Sequence, residues 1–141
     1  MLFLGGFALV TLKNLSTAES VRNANSEDNN ISIISGAWVD PSAHTGSEQE
    51  TFVQFHPDGK VSGFAGCNRF FGTFVATDST LDVGPLGTTR MACPDTIMQQ
   101  EMAFLGEIEG ASGYVISGHR LSLDTTNGMI LELEIEINSQ N

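Results

Sequence analysis

One stretch of this chain repeats its apolar residues at helical spacing, and the other patterned segments do not. Between Thr96 and Ile108 the residues Ile97, Phe104 and Ile108, joined by Met98 and Leu105, share a face. Thr96 with Gln99 three residues on fits a capping box, Asp95 offers an alternative N-cap, and Gly110 stands just past the last turn. The remaining patterned segments are short and β-prone. Parallel strands need long crossover connections, usually helices, and a single helix cannot supply them for about eight strands. The pattern therefore predicts a mainly β fold with one helix (α+β). It is a strongly curved antiparallel sheet, or a partly open β-barrel of about eight short strands, with the helix covering one opening.

The strands follow from composition and turn chemistry. Ile31 to Val39 is apolar, with Trp38 as a core residue, and Pro41 and Gly46 mark a loop after it. Thr51 to Phe55 and Lys60 to Phe64 flank the turn formers His56-Pro57-Asp58-Gly59 and read as a hairpin. Phe70 to Ala76 and Thr80 to Val83 read as a second hairpin around Thr77-Asp78-Ser79. Gly113 to Ser117 turns at Gly118-His119 into Arg120 to Leu123, and Asn127-Gly128 is a hairpin dipeptide. Leu131, Leu133, Ile135 and Ile137 alternate with Glu132, Glu134 and Glu136, which gives one core face and one solvated carboxylate face.

The 141 residues allow one main core. Leu2 to Leu12 is apolar but too short for a membrane-spanning helix. With the small residues Ser16-Thr17-Ala18 it reads as a secretory signal segment over residues 1–18, the alternative being an N-terminal strand or ordered apolar tail. No cysteine follows the run to take a lipid anchor. Residues 19–30 are a polar linker and residues 31–141 the folded domain. A net charge of −11 argues against nucleic acid as a partner, and against an anionic lipid surface bound through a basic patch.

Two segments concentrate the unusual residues. Gly63-Phe64-Ala65-Gly66-Cys67-Asn68-Arg69-Phe70-Phe71-Gly72 and Thr88-Thr89-Arg90-Met91-Ala92-Cys93-Pro94 each hold one cysteine and one arginine. The glycines mark a bulge or sharp change of direction, and Asn68 tolerates a left-handed backbone there. Cys67 and Cys93 either form a disulfide or are two buried thiols. Arg69 and Arg90, in apolar and glycine-rich surroundings, are expected to be partly buried. They would tie loops to backbone carbonyls or to Asp82, Asp95 or Glu101, or else form an anion site at the barrel mouth. The two segments are expected to meet in space as one unit.

Catalytic templates do not fit. His44, His56 and His119 are scattered through turn-like stretches without metal-ligand spacing, and the cysteines form no CxxC pair. No cofactor, metal or catalytic residue is expected. A Cys–His nucleophile pair would need a free, exposed cysteine near a histidine.

Six blocks together resemble the META/HslJ domain family. They are Gly36-Ala37-Trp38, Phe64 to Gly72, Leu81-Asp82-Val83-Gly84, Thr88 to Cys93, Glu101-Met102-Ala103-Phe104-Leu105, and Leu121-Ser122-Leu123. The resemblance covers Ile34 to Ile135. It implies a small β-rich domain, exported or anchored at a bacterial envelope and linked to heat-shock and antibiotic-stress responses. Its fold is similar to that of secretin pilot proteins, which hold lipid tails in an open barrel. The family supplies no accepted catalytic residues. The signature residues that carry over are Gly66, Asn68, Arg69, Thr89, Arg90 and Met91, as structural residues or an anion site. The functional expectation is a non-enzymatic, extracytoplasmic domain that binds a partner protein or an apolar or lipid ligand. A structural accessory module without ligand is the second reading, and a cysteine-dependent enzyme the third.

Overall fold

The computed structural model describes residues 31–43 and 49–136. The signal segment and linker read from residues 1–30, together with His44 and Ile137, lie outside the described residues. Nine strands and one helix follow in order: β1 (Ala37–Val39), β2 (Phe52–Phe55), β3 (Lys60–Phe64), β4 (Arg69–Ala76), β5 (Leu81–Val83), β6 (Gly87–Thr88), α1 (Asp95–Glu109), β7 (Ala111–Ser117), β8 (Arg120–Thr125) and β9 (Ile130–Ile135). The expected mainly β architecture with one helix is present. The two-residue β6, paired with β4, has no counterpart in the sequence reading, and the first strand is shorter than Ile31 to Val39.

The sheet runs β5-β4-β3-β2-β1-β9-β8-β7, with every pairing antiparallel. Two meanders, one before the helix and one after it, are joined where β1 pairs with β9 through Trp38 and Ile135. The far edges come together at a bridge between Thr80 and Gly113. There Tyr114 N donates to Ser79 O at 2.9 Å and Tyr114 Oη to Thr77 O at 2.6 Å. This seam makes the sheet a nearly closed barrel.

Period-2 alternation places the core. Along β9 every second residue, Leu131, Leu133 and Ile135, is buried, and the glutamates between them are exposed. Along β4, Phe70 is buried while Arg69, Phe71, Thr73 and Val75 face water. The inner faces meet in one cluster around Trp38, Phe55, Val61, Phe70, Leu121 and Leu133. The barrel interior is filled by side chains. Trp38 is fully buried, and its Nε1 donates to Ile33 O at 2.8 Å, so the indole's polar atom is satisfied.

Gly63 is needed where the aromatic core crosses a strand. It pairs with Phe70, and a Cβ there would lie 2.1 Å from Phe52 O and 2.6 Å from Phe70 Cζ. The β3–β4 connection, Ala65 to Asn68, reverses the chain and is closed by Ala65 N donating to Asn68 O at 2.9 Å. Gly66 supplies the left-handed residue in this turn, with φ 126°. Asn68 does not adopt a positive φ, contrary to expectation; its contribution comes from its side chain.

Helix α1 buries Phe104 and Ile108, and the Phe104 ring meets Phe70 edge to face at 6.0 Å. The expected capping box is absent. Pro94, at φ −54° and ψ 150°, is the N-cap, and no side chain caps the helix. Pro94 leads the chain straight into helix at Asp95, which puts Thr96 inside the first turn rather than ahead of it. Gly110 ends the helix as expected.

Candidate functional site

The two unusual segments meet. Cys67 and Cys93 are joined by a disulfide, with Cα atoms 6.1 Å apart. The β3–β4 turn thereby becomes linked to the chain that enters α1. The backbones also pair beside the bond, with Thr89 N donating to Arg69 O at 3.0 Å and Arg69 N to Thr89 Oγ1 at 3.1 Å.

The polar centre of this junction is Asn68, which is buried. Its Nδ2 donates to Glu101 Oε1 at 2.8 Å and to Met91 O at 3.2 Å. Its Oδ1 accepts from Met91 N at 2.6 Å and from Thr89 Oγ1 at 3.0 Å. The amide therefore uses both donors and both lone pairs. Glu101 is equally buried, and its Oε2 accepts from Cys67 N at 2.9 Å and Asn68 N at 2.5 Å. Three N–H groups thus take the place of water around a buried carboxyl group.

This arrangement corrects the expected role of the arginines. Arg69 and Arg90 are exposed, and neither makes an ion pair among the described residues. Glu101, one of the acids proposed as an arginine partner, is occupied by Asn68 and the turn. The reason at Arg69 is geometric. Phe70 takes the core side of β4, so its neighbour must point outward. The sequence reading missed Glu101 as the hub. The signal was present: Ile97, Glu101, Phe104 and Ile108 are spaced by four, three and four residues, which puts one carboxyl group inside an apolar helical stripe.

Above the disulfide lies an open cleft of about 720 Å³, whose surface is mostly apolar. Phe64, Gly66, Cys67, Arg69, Met91 and Cys93 contribute to it, and Met91 is 63% exposed. Of the signature residues, Gly66, Arg69, Thr89 and Met91 line the cleft, while Asn68 lies beneath in the hydrogen-bonded network. Arg90 is not among the lining residues. His56 bonds Ser62 Oγ through Nε2 at 2.8 Å on the β2–β3 hairpin, and His119 lies at the β7–β8 turn. Among the described residues no three histidine, cysteine or acidic side chains are grouped so as to hold a metal ion. No described helix is long and apolar enough to cross a membrane.

Solved structures share this architecture. An NMR structure of a protein from Burkholderia xenovorans is 25% identical with a TM-score of 0.59, over 72% of this chain and 82% of that one. A second NMR structure is 20% identical, also with a TM-score of 0.59, over 72% and 90% of the two chains. The crystal structure of a DUF4847 family protein from Bacteroides vulgatus has a TM-score of 0.54 at 14% identity, over 77% and 96%. No curated protein matches this chain. Residues 30–135 match the META domain, a span that takes in both cysteine segments, the buried glutamate and every strand of the barrel; the chain belongs to the META domain family.

Proposed function

We propose that this domain is a non-enzymatic binding module, and that it takes an apolar group bearing a negative charge in the cleft above the Cys67–Cys93 disulfide. The observation that carries the reading is the pairing of an exposed apolar surface with an exposed cation in a strongly acidic chain. Met91 offers exposed apolar contact, Phe64 lines the cleft but is mostly buried, and Arg69 stands at the same cleft without an ion pair among the described residues. The floor is held by the disulfide and by the Asn68–Glu101 network, so binding has little ordering cost. Because side chains fill the barrel, the expected apolar ligand is assigned to this outer cleft rather than to the interior. The charged apolar group can belong to an acyl chain or to a partner's polypeptide.

The disulfide also supports an extracytoplasmic location, since such bonds persist in oxidising compartments. The envelope setting and stress association rest on the family resemblance. A cysteine nucleophile has no free thiol to use, because both sulfurs are joined.

Dodecanoate titration followed by amide NMR tests the reading, alongside mass spectrometry of lipid extracted from purified protein. Saturable shifts confined to Phe64–Arg69 and Thr89–Cys93, weakened in Arg69→Glu and Met91→Glu, are the expected result. An acidic peptide with one aromatic residue serves as the polypeptide arm. If neither probe saturates and no lipid copurifies, the purely structural reading of the two segments replaces this one.

A further inference from the structure

A second concave surface lies elsewhere on the molecule. The turn at Asp40–Ala43, helix α1 and strand β9 enclose a cleft of about 620 Å³. Asp40, Glu107, Glu132 and Glu134 line it, with Arg120 as the single cationic side chain among the described lining residues. Arg120 lies 3.6 Å from Glu132 and 3.8 Å from Glu134, so its charge is engaged on the β9 side. Among the described residues no cation compensates the opposite wall. Among the described residues Asp40 Oδ1 accepts from Ser42 N and Ser42 Oγ, at 2.9 and 2.7 Å. The Glu107 side chain makes no hydrogen bond or ion pair among the described residues, and burial together with the charge of Asp40 raises its pKa. Phe104, Ala103 and Leu131 supply an apolar component.

An independent observation points to a ligand. Thr51 also lines this cleft and is only 3% exposed, yet its Oγ1 has no hydrogen-bond partner among the described residues. A buried hydroxyl without a partner is costly, and few native groups are left so. The carboxylates are spread around the cleft rather than converging on a point, and no three described acidic groups could hold a metal ion. The geometry suits an elongated cation with an apolar stem better than a point charge.

We propose that the cleft between the Asp40–Ala43 turn, α1 and β9 binds an organic primary ammonium group. Its charge faces Asp40 and Glu107, its stem packs on Phe104 and Leu131, and its N–H group donates to Thr51 Oγ1. The ammonium can come from a lysine side chain of a polypeptide or from a free alkyl diamine. This site is separate from the disulfide cleft and does not depend on the reading given for it.

The test is amide NMR titration of the full chain with three probes: a five-carbon diamine, a blocked lysine amide, and a five-carbon diol as the neutral control. Saturation by either amine supports the proposal and identifies the source, provided the shifts are confined to Asp40–Ala43, Thr51, Ala103–Glu107 and Leu131–Glu134. Glu107→Gln should weaken binding about tenfold, the loss expected for one charge-assisted contact. Arg69→Glu should leave it unchanged. Thr51→Val should raise the melting temperature of the free protein, because it removes an unsatisfied buried hydroxyl, and at the same time weaken the amine. The proposal is overturned if neither amine saturates, if the diol matches the amines, or if calcium chloride displaces the amine at equal concentration. Unchanged affinity in a folded Glu107→Gln protein would also overturn it.

Discussion

Glu101→Gln preserves the shape of the side chain, yet it should destabilise this domain nearly as much as Glu101→Ala. The reason is the fixed polarity of the network. In the wild type, Oε2 accepts from Cys67 N and Asn68 N, and Oε1 accepts from Asn68 Nδ2. Glutamine has one acceptor oxygen. If that oxygen faces the two backbone amides, its own NH₂ is directed at Asn68 Nδ2 and two donors collide. Turning the Asn68 amide over does not help, because Nδ2 would then face Met91 N, which donates at 2.6 Å to Oδ1. Turning the glutamine over sets its NH₂ against two backbone N–H groups. Every arrangement loses a hydrogen bond to a charged group and leaves a buried donor unpaired, for a total of about 3 kcal/mol. For a domain with an m-value of about 1.5 kcal/mol/M, the urea midpoint should fall by roughly 2 M. Urea unfolding of the oxidised protein, followed by circular dichroism, measures this directly. A Glu101→Gln protein within about 0.5 kcal/mol of wild type would show that the network carries no directional constraint, and the account of Asn68 given above would be wrong.

Three further outcomes are expected. Reducing the disulfide releases a closure between residues separated by 26 positions and should lower stability by about 3.5 kcal/mol in the chain-entropy model, read as a shift in urea midpoint with and without reductant. Trp38→Ala should cost about 3–5 kcal/mol, since the indole is fully buried and its removal also strips Ile33 O of its donor; a melting temperature within a degree or two of wild type would contradict the core assignment. Burial and Asp40 raise the Glu107 pKa above its ordinary 4.5, so folding favours the protonated form; that contribution is fully present below pH 4.5 and is lost as pH rises through the folded value. Glu107→Gln should therefore flatten the stability profile over that interval, and an unchanged profile in thermal melts across pH would remove Glu107 as its source.

Much of the fold was legible because its signals are local. Strict alternation in Leu131-Glu132-Leu133-Glu134-Ile135 specifies which face is buried without reference to any other strand. A single helical period among many short strands excludes a parallel sheet. The META resemblance was legible from the spacing of short blocks, and the concentration of cysteine and arginine in two of them anticipated that they meet. The exposure of Arg69 was legible too: once Phe70 points inward, alternation turns Arg69 outward, but the glycine- and cysteine-rich surroundings suggested burial instead. What only the tertiary structure decided is non-local. Asn68 and Glu101 are 33 residues apart, and nothing in either neighbourhood specifies that one carboxyl group will satisfy the turn beneath the disulfide. Nor could the sequence show that the barrel closes on filled space, because filling depends on how the volumes of Trp38, Phe55, Phe70 and Leu133 sum across strands that pair only after folding. Local patterns set the face each residue takes; contacts between distant segments set what that face meets.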